Sequence, residues 1–305
     1  MITKVRVGSL LALALLSLGR PSFGAEVAVL KSTDAPAWKP ALDALHRVAA
    51  KETISEFDLR GDRGEGERVL AGLKGKNVIL VAMGNLAAQS AHDILPEVPL
   101  VFCMVQDPAR LGLLGAANTT GVSFTIPVKN QLAAFRLVYP RGVRIGVIYD
   151  NENVGKQVQE AQKAAAIVRL ILVERPVTTE KEIPEALRSL LKGQDVMDAL
   201  WIPADPILLG DETRHFLLAE TLKAAKPVYT FSNTLVQEGA LVSNGPDYGS
   251  IGEQVGEIVE RLAGGEKTKI EMMIPRGELV INKKIADKLK LEIPAEALRV
   301  ANKVF

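Results

Sequence analysis

Apolar residues in this chain fall into short unbroken runs separated by segments of helical period. The runs are Val27–Leu30, Val78–Met83, Pro99–Val105, Arg144–Tyr149, Leu170–Val173, Ala199–Pro203 and Pro227–Phe231. Uninterrupted runs of this length, instead of alternation, predict parallel strands covered on both faces. Between them the spacing predicts helices over Pro40–Lys51, Gly64–Leu73, Leu86–Leu95, Val128–Val138, Gly155–Val168, Glu182–Leu191, Asp211–Ala225 and Ser250–Ala263, the last ended by Gly264-Gly265. The tail predicts a strand over Leu279–Asn282, a helix over Lys283–Leu289 and a last small helix. Strands alternating with helices make this α/β architecture.

The pattern also repeats. Strand, polar loop, helix and short strand over Val27–Phe57 recur over Ile145–Val173. Each copy continues with a strand, a helix and a third strand opening on proline, Pro99 or Pro227. Two βαβαβ copies predict two Rossmann-like lobes with parallel sheets, joined by a hinge, with a crevice between their strand ends where such sheets hold ligands. Residues 25–122 with about 240–268 are expected in one lobe, and 123–239 with about 269–305 in the other. The chain would cross at Val122–Pro127, near Leu235–Asn244 and near Lys267–Pro275.

The first residues set an expectation about location. Lys4 and Arg6 precede an apolar stretch from Gly8 to Leu18, and Ser22-Phe23-Gly24 puts small residues before Ala25, so residues 1–24 read as a signal peptide. That stretch is shorter than the roughly 20 residues a membrane span needs. Cys103, the single cysteine, allows no disulfide within the chain and lies too far from the cleavage site to carry a lipid. A periplasmic protein that is not a lipoprotein is expected. With 37 Lys and Arg against 36 Asp and Glu, charge provides no drive toward nucleic acid.

A search for catalytic and phosphate-binding motifs finds no GxxxxGK[ST], GxSxG, HExxH, paired CxxC or helix-opening GxGxxG. His46, His92 and His215 each fall in a helical segment away from the strand ends. No enzyme activity, metal or cofactor is expected. The distinctive chemistry follows the strands. Ser32 and Asp34 lie in the polar loop after the first strand, and Asn151 in its counterpart in the second copy. Gly84 and Asn85 end one strand and open a helix, so their amides are expected to point into the crevice as an anion socket; simple capping by Asn85 is the other reading. In the second copy Asp205 follows a strand and is expected either to take a ligand ammonium or to cap the following turn. Aromatic residues are only 5% of the chain, and Tyr149, Phe231 and Tyr248 stand where strands end or loops open, so they are expected to stack on a flat ligand. Trp38, in the first loop, reads as a lid or a hydrophobic staple.

The segments VAMGNLAAQSA, PLVFCMVQDPARLGLL, NTTGVSFTIPVKNQL, RIGVIYDNEN, DALWIPAD, PVYTFSN, EGALVSNGPDYGSIGEQVGEIVERLAGGE and VINKKIADKLKLEIP follow one another in this order between residues 81 and 294. Together they resemble the extracytoplasmic substrate-binding proteins of ABC transporters, in the branch with the type I periplasmic-binding-protein fold that includes tryptophan and tyrosine binders. The resemblance implies a monomer without cofactor. It would capture a small polar ligand, favourably an amino acid, by hinge closure and deliver it to an inner-membrane permease. It further implies that Ser123 with Pro127 forms part of hinge and pocket, that Asp205 is the acid for the ligand amine, and that Phe231, Ser232, Asn233, Asp247 and Tyr248 line the cleft. This chain has Gly84-Asn85 where the family usually has Gly-Thr, and its first loop is more charged than the family pattern. Two other classes stay open at this point: a module presenting a small molecule to a membrane receptor kinase, and an enzyme using Asp205 or Asp247.

Overall fold

A computed structural model describes residues 25–266 and 270–305. The expected signal peptide lies outside the described residues, as do residues 267–269 of the expected third crossing. In the first half β1 (Glu26–Lys31), α1 (Lys39–Val48), β2 (Thr53–Asp58), α2 (Arg63–Leu73), β3 (Val78–Met83), α3 (Asn85–Ile94), β4 (Leu100–Cys103) and β5 (Thr119–Gly121) follow one another. Their strands form a parallel sheet of order β2-β1-β3-β4-β5. The second half runs α4 (Val128–Val138), β6 (Arg144–Asp150), α5 (Asn151–Ile167), β7 (Ile171–Val177), α6 (Ile183–Lys192), β8 (Ala199–Ile202), α7 (Asp211–Lys223), β9 (Val228–Thr230), α8 (Asn233–Glu238) and β10 (Val242–Pro246). Then come α9 (Tyr248–Ala263), β11 (Gly277–Ile281), α10 (Lys283–Lys288), α11 (Ala295–Val300) and β12 (Lys303–Val304). The second sheet has the order β12-β11-β10-β9-β8-β6-β7, with β11 antiparallel to β10. Its stretch β7-β6-β8-β9-β10 repeats the order β2-β1-β3-β4-β5, which is the duplication read from the sequence.

Both sheets are covered on two faces. Val27, Val29, Val81 and Val101 pack under α1 and α9, while Ala28, Leu30, Leu80 and Phe102 face α2 and α3. In the second half Val147, Trp201 and Tyr229 pack toward α4 and α5, and Ile148, Leu200 and Val228 toward α6, α7 and α8. Helix α9 lies against α1 so closely that a Cβ at Gly252 would stand 1.9 Å from the Ala41 carbonyl oxygen. Only glycine permits that approach.

Helix α9 therefore belongs to the first half, while the strand before it does not. The sequence places about 240–268 with the first lobe and a crossing near Leu235–Asn244. In the structure those residues form α8 and β10 inside the second sheet, and the chain crosses at Asp247. Asn244, Gly245 and Pro246 make a poor strand by composition, and it is the pairing with β9 and β11 that holds them extended.

The crossing segments are laced together. Ser123 N–H donates to the Met273 carbonyl at 2.8 Å and Met273 N–H to that of Gly121 at 2.9 Å. Asp247 N–H donates to the Arg276 carbonyl at 3.0 Å, and Gln254 Nε2, from α9, to that of Ile274 at 2.9 Å.

Candidate functional site in the inter-sheet crevice

Most of the expected site residues lie at the carboxyl ends of the parallel strands, the edge where open α/β sheets present loops to ligands. In the first half Ser32 does two jobs. Its N–H donates to the Met83 carbonyl at 2.9 Å, and its Oγ accepts from Ala87 N–H at 3.0 Å, so it caps α3 from across the sheet. The Asn85 side chain does not cap the helix; its Oδ1 accepts from Gln106 N–H at 3.2 Å. The Gly84 amide does not point into the crevice as the sequence suggests; it donates to the Cys103 carbonyl at 2.9 Å. Gly84 is needed for another reason. Its φ is +91°, and an added Cβ would come within 2.7 Å of Ser32 Oγ and 2.8 Å of Trp38 Cη2.

Trp38 thus lies against the loop that starts α3. It walls a pocket of about 360 Å³ lined by Lys31, Asp34, Ala35, Pro36, Trp38, Lys39, Leu42 and Met83. Met83 and Leu42 contribute apolar lining, and Lys31, Asp34 and Lys39 its charged groups. The Lys31 side chain is 13% exposed and pairs with Asp34 at 2.9 Å and Glu56 at 3.2 Å. The hydrogen bond it donates to Asp34 leads in holding the Lys31 ammonium above its ordinary pKa, with burial opposing and Glu56 assisting. A larger groove of about 470 Å³ runs between α2 and the edge strand β2.

At the hinge, Phe124 and Tyr248 stack with ring centroids 5.8 Å apart and planes within 8°. Both rings, like Trp38, pack on the core beneath α1 and α9. Burial pushes the Tyr248 hydroxyl pKa up. Asp247 Oδ1 caps α9 by accepting from Ser250 N–H at 3.2 Å. Ser123 Oγ accepts from Thr125 N–H at 3.2 Å, shaping the first crossing.

In the second half two expectations are corrected. Asp205 is 0% exposed. Its Oδ2 accepts from Asp150 N–H at 2.6 Å, and its Oδ1 from Asn153 Nδ2 at 2.9 Å and Ile207 N–H at 3.2 Å. With three donors on its two oxygens and no exposure, it is a buckle between the loops after β6 and β8 and presents no open face to a ligand amine. Tyr149 is 7% exposed, packs in the core under α4 and α5, and donates its hydroxyl proton to Glu174 Oε2 at 2.9 Å. Its side chain is turned inward, away from any stacking position. Burial first, then Glu174, pushes the Tyr149 pKa up to about 12. Tyr149→Phe is expected to lower stability by about 1 kcal/mol in urea denaturation, because Glu174 loses its donor; a large loss of ligand affinity would contradict this placement.

The remaining residues cluster at the ends of β9, β10 and β11. Phe231 and Ser232 are half-buried, and Asn151 is exposed on the first turn of α5. Asn233 Oδ1 accepts from Ser243 Oγ at 2.6 Å, and its Nδ2 donates to Glu278 Oε2. Nothing in the sequence singles out Glu278. It lies one residue before the predicted strand, and its partner Asn233 is 45 positions away. Trp38 reads from sequence only as a lid or a staple; a rare residue type beside a polar strand-end loop is the available signal.

Two covered sheets whose carboxyl ends present loops, tied by laced crossings, define the type I periplasmic-binding-protein architecture. The fold superposes on the ligand-free, open structure of a substrate-binding protein with adhesive properties from Clostridium difficile, at TM-score 0.80 and 20% identity, covering 92% of this chain and 99% of that one. It also superposes on an ABC domain in complex with L-Trp from Streptococcus pneumonia, at TM-score 0.62 and 23% identity, covering 92% of this chain and 100% of that one. A tyrosine-binding protein of Clostridioides difficile (strain R20291) is 26% identical over 216 residues, 68% of this chain; the match spans 61% of that relative's length. The chain belongs to the ABC transporter substrate-binding protein family, whose model matches residues 27–305.

Proposed function

We propose that the protein is the periplasmic solute-binding component of an ABC uptake system and that its ligand is an amino acid with a flat side chain. Capture follows closure of the two halves about the laced crossings, and the closed form is the one an inner-membrane permease receives. The observation that carries this reading is the pocket at the ends of β1 and β3, with apolar lining from Met83 and Leu42 and one wall formed by Trp38. Such a recess accepts a ring, and the loops after β6, β8 and β9 are the surface that would close on the rest of the solute. The tyrosine-binding relative and the L-Trp complex support a ring-bearing amino acid. Export rests on the basic and apolar pattern of residues 1–24, and among the described residues no helix is long and apolar enough to cross a membrane. A ligand that contacts both halves favours the closed population by its differential affinity for it.

A thermal-shift and calorimetric screen of the purified protein against amino acids, nucleobases and sugars tests the proposal. L-Tyrosine or L-tryptophan at about 100 times its dissociation constant is expected to stabilise by about 2.7 kcal/mol. Trp38→Ala is expected to weaken that ligand by about 10-fold or more, a ring stack being worth about 0.5–1.5 kcal/mol beyond the apolar area it buries. A sugar or nucleobase response with none from any amino acid would overturn the ligand class.

A further inference from the structure

With Asp205 sealed in its buckle, the site lacks the acid that the sequence suggests for the ligand amine. We infer that Glu278 is that acid, a specificity-determining residue that receives the ligand's ammonium; this rests on the amino-acid reading above. The other carboxylates at the strand ends are engaged. Asp150 and Asp247 cap helices α5 and α9, and Asp34 pairs with Lys31. Glu174 holds the Tyr149 hydroxyl, and its second oxygen is sealed from solvent.

Asp150 and Asp247 are half-buried as Glu278 is, but each serves a helix N-terminus, whereas Glu278 is held only by a side-chain amide. It pairs with Gly245 in the β10–β11 register, one pair inward from the Pro246–Gly277 pair where the chain crosses. It is half-buried, and no Lys, Arg or His among the described residues lies within ion-pair distance. One oxygen accepts from Asn233 Nδ2. The other has no hydrogen-bond partner among the described residues and is not sealed in the interior. The orientation is imposed from behind: Ser243, fully buried, donates to Asn233 Oδ1 at 2.6 Å, which turns the amide nitrogen toward the carboxylate. A carboxylate held by one neutral amide keeps acceptor capacity for a cation. A primary ammonium, with three donors, matches the free oxygen, and closure over the crevice would strengthen the pair by removing water.

The test is calorimetry on the wild-type protein and Glu278→Gln. Glutamine keeps an acceptor for Asn233 and removes the charge. The probes are L-tyrosine and L-tryptophan, with 3-(4-hydroxyphenyl)propionate and indole-3-propionate as their counterparts without the amine. Wild type is expected to prefer the amino acid by roughly 10- to 100-fold, the range for a hydrogen-bonded charge. The Gln variant should lose that preference while retaining its unliganded melting temperature and its affinity for the propionates. Should Glu278→Gln fail to fold, Glu278→Asp, one methylene shorter, is expected to lose most of the preference. An unchanged preference in a folded variant, or equal wild-type affinity for the propionates, overturns the role of Glu278 and leaves the pocket reading standing. Binding of neither amino acid by wild type overturns both.

Discussion

Gly252→Ala is expected to destabilise the protein by about 3 kcal/mol or more, seen as a lowered urea midpoint for the first half. The added methyl would meet the Ala41 carbonyl oxygen at 1.9 Å, its carbon at 2.6 Å and the Ala41 Cα at 2.7 Å. All three are backbone atoms of α1, so no side chain can rotate away. Helices α1 and α9 would have to separate, uncovering Ala41, Leu45, Ile251 and Val255, each buried in the shared core. Gly72→Ala supplies the contrast. Gly72 lies in α2, and a methyl added there would find nothing within 4 Å, so the helix preference for alanine is expected to add about 0.5–1 kcal/mol. Equal effects at the two positions would refute the packing argument.

Asp205→Ala is expected to cost about 3–5 kcal/mol, centred on the second half. It leaves the half-buried Asp150 and Ile207 amides without an acceptor, frees the Asn153 side chain, and removes the cap of the short turn Pro206–Leu208. Asp205→Asn is expected to fall between wild type and Ala, since an amide group placed at Oδ2 would face the Asp150 N–H donor to donor. A stability measurement paired with ligand calorimetry separates this role from direct contact. A buckle gives a large loss of stability in both variants, whereas an amine ligand would give lost binding in a well-folded Asn variant.

The sequence discloses the fold in proportion to how much its segments obey local rules. Val78–Met83 and Arg144–Tyr149 are apolar almost throughout because both sheet faces are covered, and that pattern is visible without a partner strand. Helix α4 is legible at its observed bounds, Val128–Val138. Strand β10 is not, because Ser243-Asn244-Gly245-Pro246 has the composition of a loop and is extended only by its neighbours. For the candidate site, adjacency to strand ends picks out the positions of Ser32, Asn85, Phe231 and Asn233. Position along a strand says nothing about how many donors surround a side chain, and for that reason Asp205 and Tyr149 read as ligand contacts although the interior has claimed them. Glu278 depends on the antiparallel pairing of β11 with β10, a non-local relation that periodicity does not encode.

The late position of α9 has a consequence for how the molecule comes into being. The Arg47–Glu253 ion pair joins positions 206 apart, and the α1 surface it borders has no cover until Ile251, Val255, Ile258 and Val259 arrive. A chain made from its amino end must hold that greasy strip open until α9 follows, so α1 is among the last elements to settle. Fragments ending before Tyr248 should aggregate through this strip, and a peptide spanning Tyr248–Ala263 supplied in trans should rescue them.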